Sequence, residues 1–236
     1  MNDPKVIVAL DYSNQIDALT FVDKIDPLSC RLKVGKEMFT LFGPDFVRKL
    51  HKLGFSVFLD LKFHDIPKTC SRSVRAAAEL GVWMVNIHAS GGERMMTESR
   101  KILEPYGKQR PWLVGVTVLT SMEQCDLSDV GLDILLQDQV ALLAKLTLNS
   151  GLDGVVCAAQ EVSTIKDELD HQEFKFITPG IRLPKNSLDD QKRATTPTEA
   201  IKFGSNYLVI GRPITQASKP EKVLAEINRK LLVKHS

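Results

Sequence analysis

The chain of 236 residues is short of several features, and each shortage removes a class of protein. No apolar run approaches the roughly 20 residues that a membrane-spanning helix requires. The leading Met1-Asn2-Asp3-Pro4-Lys5 runs into an apolar stretch of only five residues, 6–10, too short for a secretory core. Cysteine is scarce: Cys30, Cys70, Cys125 and Cys157 show no C-x-x-C spacing, and no His stands at zinc-finger distance from them. That excludes a disulfide framework or zinc clip and predicts four thiols in packing roles. Neither sign of charge dominates, since the net charge is +2. Nucleic acid and anionic membrane are therefore not expected as partners, whereas a small anionic substrate held by a few local cations is. The sequence reads as a soluble, cytoplasmic protein, and no break in composition marks a second domain.

What is present is an alternation. Short apolar, β-branched runs at 6–10, 30–34, 56–62, 83–88, 112–117, 154–157, 174–178 and 207–210 are separated by amphipathic stretches. These predict helices over about 13–25, 36–53, 69–80, 92–104, 132–149, 160–169, 197–203 and 220–233. Ser13 is placed to cap the first, and Thr196-Pro197-Thr198-Glu199 is a capping box with Pro at the first helical position. Ser218-Lys219-Pro220-Glu221 repeats that spacing. Eight strand–helix units without hairpin signals predict a parallel sheet, and the length fits a single-domain (β/α)₈ TIM barrel over residues 1–236. An open doubly wound sheet is the alternative. The first strand argues against it, because it ends in Leu10-Asp11-Tyr12 and not in a G-x-G-x-x-G turn.

Active sites of such barrels lie at the C-terminal ends of the strands. Those ends hold Asp11, Lys33, Asp60 with Lys62, and then Asp65. Strand side chains alternate between faces, so Ser56, Phe58, Asp60 and Lys62 share one face and Val57, Leu59 and Leu61 take the other. Interior charges at a barrel mouth either form a stabilising ion-pair network or a preorganised electrostatic site. The second reading is favoured, because buried pairs seldom repay their desolvation. Thr178-Pro179-Gly180-Ile181-Arg182 and Ile210-Gly211-Arg212-Pro213 end strands seven and eight, where such barrels frequently bind phosphate. Glycine lets backbone approach an anion closely, and Arg212 offers a fork of donors. Between these segments, a polar connection at about 181–196 reads as a lid over the phosphate, with Gln191 a candidate ligand. His88 at a strand end reads as a hydrogen-bonding support and not a metal ligand, His64 as a positioning residue, and Met95-Met96 as packing.

These residues resemble a known family. Asp60-Leu61-Lys62-Phe63-His64-Asp65-Ile66-Pro67 is similar to the D-x-K-x-x-D-I-P signature of the orotidine 5′-phosphate decarboxylases. Val8-Ala9-Leu10-Asp11, Leu32-Lys33-Val34-Gly35, Val116-Thr117-Val118-Leu119-Thr120-Ser121 and the two phosphate segments extend the match over almost the whole chain. One position departs from the usual pattern: Lys68 stands after the motif's Pro, where the family often has Asn.

The resemblance implies decarboxylation of orotidine 5′-monophosphate (OMP) to UMP, without metal or other cofactor. It implies Lys62 as proton donor to carbon 6 of the pyrimidine and Asp60 as its neighbour beside the substrate carboxylate. It implies Lys33 as a further member of the charge array, with Asp11 and Lys33 binding ribose hydroxyls. Thr120, with Ser121, would read the pyrimidine. Gln191, Gly211 and Arg212 would hold the phosphate, with Arg182 on the lid. Asp65, Ile66 and Thr69 would act across a homodimer interface. Two rivals differ in chemistry. A metal-dependent sugar-phosphate enzyme of the same barrel, such as a 3-keto-gulonate 6-phosphate decarboxylase or a hexulose-phosphate synthase, would keep D-x-K-x-x-D; Asp65-Ile66-Pro67 and Leu119-Thr120-Ser121 argue against it. A non-catalytic phosphosugar-binding barrel has little need of three interior charges.

Overall fold

A computed structural model describes residues 3–169, 171–183 and 195–232. Its strands are β1 (Val6–Leu10), β2 (Arg31–Gly35), β3 (Val57–Phe63), β4 (Met84–His88), β5 (Trp112–Val116), β6 (Gly154–Val156), β7 (Lys175–Thr178) and β8 (Tyr207–Ile210). They pair in parallel and in chain order, and β8 returns to β1 through Val6 with Leu208, Ile7 with Val209 and Val8 with Ile210. The expected (β/α)₈ barrel is therefore the fold. Its outer layer comprises α1 (Gln15–Val22), α2 (Lys36–Lys52), α3 (Pro67–Glu79), α4 (Gly92–Lys101), α5 (Gln124–Asp129), α6 (Leu136–Asn149), α7 (Val162–Leu169), α8 (Pro197–Lys202), α9 (Arg212–Thr215) and α10 (Pro220–Leu232).

The two-residue period of the strands sorts the core into two compartments. Ile7, Ala9, Phe58, Met84, Val114, Ile177 and Val209 fill the barrel. Val6, Val8, Leu32, Val57, Leu59 and Val85 face outward and pack under the helices. Phe58 and Val57 fall on the faces that alternation assigns them. Met95 and Met96 are buried packing residues of α4. Cys30, Cys70 and Cys157 are buried free thiols and Cys125 is an exposed one; burial pushes the Cys30 thiol up to about 12.

Several boundaries differ from expectation for local reasons. Asn14, not Ser13, caps α1, its side-chain oxygen accepting from the Ile16 N–H at 2.7 Å. Both residue types cap equally well, so chain register decides between them. The helix expected over 36–53 kinks at Gly43, whose φ is 60°, beside Pro44, which cannot donate to the helical ladder. Helix α5 went unforeseen because six residues are too few to show a periodic apolar stripe. A capping bond from the Glu123 N–H to Asp126 at 2.7 Å supports it. The Thr196–Glu199 capping box forms as read, with the Thr196 N–H donating to Glu199 at 2.8 Å.

The two ends of the barrel are built differently. At the N-terminal end, Trp83, Trp112 and Tyr207 pack with ring centroids 5.2–5.6 Å apart. The Arg31 guanidinium lies 4.1 Å from the Trp83 ring centroid and pairs with Asp3 at 2.8 Å. The Tyr207 hydroxyl donates to the same Asp3 carboxylate at 2.8 Å. Aromatic and cation–π contacts thus form the floor of the barrel at this end and line a cavity of about 320 Å³ with Lys5, Lys175 and Asn206.

Candidate active site

At the C-terminal mouth, three strands present alternating charges around one cavity of about 160 Å³. Asp11 follows β1, Lys33 projects from β2, and Asp60 and Lys62 project from β3. The Lys33 ammonium lies 3.4 Å from Asp11 and 3.2 Å from Asp60. The Lys62 ammonium donates to the other Asp60 oxygen at 2.6 Å. The sequence is Asp, Lys, Asp, Lys, and the inner carboxylate binds both cations.

Asp60 is 8% exposed. Burial raises its carboxyl pKa, but Lys33, Lys62 and hydrogen bonds from Lys62 and Asn86 together outweigh burial and hold the pKa below the usual carboxylate value. Asp60 is therefore ionised near neutral pH.

Strand β3 is irregular here. Leu59 pairs with Val85 on β4, and the next paired residue, Phe63, meets Ile87. Asp60, Leu61 and Lys62 thus stand opposite Asn86 alone. Lys62 takes φ of 50°, among the described residues the one non-glycine in the left-handed region. Such a backbone costs about 1–3 kcal/mol and persists only where its surroundings fix it. Asn86 is fully buried, accepts from the Lys62 backbone N–H at 2.8 Å and donates to Asp60 at 2.7 Å. Sequence reasoning passed over Asn86. The available signal was a polar amide in the middle of the apolar run Met84–His88.

His88, one pleat further along β4, is half-buried with its ring centroid 5.5 Å from that of His64. The two imidazoles are thus in ring contact beside the array. Burial, then His64, Lys36 and Lys62, lower its pKa to about 4, so the imidazole is neutral at pH 7. Among the described residues, no three His, Cys, Asp or Glu side chains gather to hold a metal ion.

The remaining predicted residues divide into four groups. Gly211 precedes α9 and borders the array: a Cβ built on it would lie 3.5 Å from the Ala9 Cβ and 3.6 Å from an Asp11 oxygen. Arg212 opens α9 on the exposed rim. At the lid's base, Ile181 and Thr195 form a parallel bridge, and the Arg182 N–H donates to the Thr195 carbonyl at 3.0 Å. The stems of the connection are thus pinned together, while Gln191 lies outside the described residues. Thr120 and Ser121 lie exposed beyond β5.

Asp65, Ile66 and Thr69 do not join their own chain's array. Asp65 accepts from the Ile66 N–H at 2.6 Å, and no ion pair links it to Lys62 among the described residues. Ile66 is 67% exposed, and Thr69 is exposed in the first turn of α3. None of the three lines the cavity that Asp60 and Lys62 line.

A family model described as Orotidine 5′-phosphate decarboxylase / HUMPS family matches residues 4–227. An orotidine 5′-phosphate decarboxylase of Vibrio atlanticus is 74% identical over 228 residues, 97% of this chain and 98% of that one. The Vibrio parahaemolyticus protein of the same name is 72% identical over 99% of this chain and all of its own. A crystal structure of orotidine 5′-phosphate decarboxylase from Lactobacillus acidophilus superposes with a TM-score of 0.87 at 36% identity, covering 98% of this chain and all of that one.

Proposed function

The chain belongs to the orotidine 5′-phosphate decarboxylase family, and from that premise we propose how its own residues perform the reaction. It is a carboxy-lyase that converts OMP to UMP and CO₂, the last step of de novo pyrimidine nucleotide synthesis. The observation that carries the residue assignment is the Asp11–Lys33–Asp60–Lys62 array, joined at 2.6–3.4 Å around one cavity.

The bond from carbon 6 of the pyrimidine to the carboxylate breaks, CO₂ leaves, and the electron pair stays on carbon 6. That pair occupies an sp² orbital outside the ring π-system, so it gains little from delocalisation. Stabilisation has to come from charge already in place. The Lys62 ammonium supplies it and then transfers its proton to carbon 6. Asp60 holds Lys62 and sits beside the departing carboxylate. Lys33 neutralises Asp60 and, with Asp11, binds the ribose hydroxyls. Thr120 and Ser121 read the pyrimidine.

Gly211 and Arg212 grip the phosphate, and the connection at about 181–196, carrying Arg182 and Gln191, closes over it as a lid. Phosphate binding, remote from the breaking bond, then serves to assemble the charged site. Asp65, Ile66 and Thr69 complete the mouth of a second subunit in a homodimer, a role that fits their exposure and their separation from their own array. We assign the reaction no metal or organic cofactor. We place the enzyme in the cytoplasm, a compartment suited to four free thiols; no helix among the described residues is long and apolar enough to cross a membrane.

The test is incubation with OMP while its ultraviolet absorbance is followed. Loss of absorbance with release of UMP is expected. Folded protein that leaves OMP intact overturns the reading.

A further inference from the structure

We infer that Asn86 is a positioning residue of the decarboxylation site, a single amide that holds the Lys62 backbone and the Asp60 carboxylate in register for proton transfer. Three observations converge on it. First, the β3–β4 ladder slips so that Asp60, Leu61 and Lys62 stand opposite this one residue. Second, Lys62 has a left-handed backbone, which a lysine does not adopt without support. Third, Asn86 is fully buried, and both ends of its amide are used, the oxygen by the Lys62 N–H at 2.8 Å and the nitrogen by Asp60 at 2.7 Å.

The chemistry requires an amide. A carboxylate at this position would accept from the Lys62 N–H but could not donate to Asp60. A lysine could donate but not accept. An aliphatic side chain would do neither and would leave the Lys62 N–H without this partner. Because Asp60 also takes the Lys62 ammonium on the oxygen that Asn86 bonds, the amide fixes both ends of the lysine, its backbone and its partner carboxylate. The ammonium then needs little reorganisation when carbon 6 becomes basic.

The inference rests on the reading of Lys62 as proton donor, and its test separates the two. Wild type, Asn86→Ala and Asn86→Asp are assayed side by side with OMP. For Asn86→Ala, kcat falls about 10- to 100-fold while KM moves less than about threefold, as expected for loss of bonds to charged and backbone groups that act on the chemical step. Asn86→Asp places a second carboxylate against Asp60, and two carboxylates at that distance share a proton.

A protonated Asp at position 86 donates to Asp60 as the amide does, so the ratio of variant to wild-type kcat rises about tenfold or more from pH 8 to pH 5.5. The ionisable groups facing that site are Asp60 and Lys62 from β3, Lys33 from β2 through Asp60, and His88 along β4; β5 sets Val114 beside it. A merely structural asparagine gives no such acid recovery. Asn86→Ala with kcat within threefold of wild type, or Asn86→Asp with a ratio that is flat with pH, overturns the inference. If Asn86→Ala does not fold, the Asn86→Asp profile decides alone. A wild type that fails to turn over OMP overturns the functional reading instead.

Discussion

Replacing Asp60 by Asn removes the charge at the centre of the array and nearly preserves its shape. The side chains of Asp60 and Lys33 are each 11% exposed, and that of Lys62 is 26% exposed. The variant therefore leaves two ammonium groups in a largely dehydrated mouth, about 3 Å from where their counter-charge stood. Removing one partner of a buried ion pair costs about 3–5 kcal/mol, because the survivor is left uncompensated. At about 2–4 °C per kcal/mol for a chain of this size, Tm falls by roughly 10 °C. The pH dependence has a definite sign. The folded-state pKa of Asp60 lies below the ordinary value of 3.8, so its stabilisation is complete above that value and is lost as pH falls through the lowered one.

Denaturant unfolding of wild type and Asp60→Asn at pH 8, 7 and 5 should give a constant difference of about 3–5 kcal/mol. Below pH 4 that difference should shrink. Salt should change it little, since the pair is screened by protein and not by ions. Equal stability of the two proteins, or a difference already gone at pH 5, refutes the reasoning.

Further outcomes follow from the site. Equal mixing of Lys62→Ala and Asp65→Ala subunits should restore about a quarter of wild-type activity, because half of the dimers then hold one intact mouth; recovery no greater than the two parents added together contradicts the shared site. Arg212→Ala should lower kcat/KM for OMP by at least about 100-fold and the rate with orotidine, which lacks the phosphate, by less than about threefold. Equal losses on both would remove Arg212 from phosphate binding. Dialysis against a strong chelator should leave OMP turnover unchanged, and loss restored by Mg²⁺ would assign the chain a metal-dependent mechanism.

The barrel was legible because a parallel sheet covered by helices needs short apolar runs on every strand, and the eight runs were all present. The mouth was legible where charge interrupted those runs: Asp60 and Lys62 fall on the same face as Phe58, which fills the barrel. Alternation does not show where a strand leaves its register. The slip between β3 and β4, the left-handed Lys62 and the service of Asn86 to both depend on pairing between segments more than twenty residues apart. Likewise, the motif places Asp65 three residues from Lys62, but the turn after β3 engages its carboxylate with the Ile66 N–H and leaves it out of the cavity's lining. The kink in α2 was visible as Gly43-Pro44, but a periodic apolar pattern on both sides concealed it.

The most direct measurement of the central claim compares turnover of OMP by wild type and Lys62→Ala, with circular dichroism to verify the fold of each. The array assigns the proton transferred to carbon 6 to the Lys62 ammonium. Wild type should therefore release UMP, and a folded Lys62→Ala should lose at least about 10⁴-fold in kcat, the upper range for removal of a positioned proton donor. A folded Lys62→Ala that turns over OMP at the wild-type rate would contradict the account.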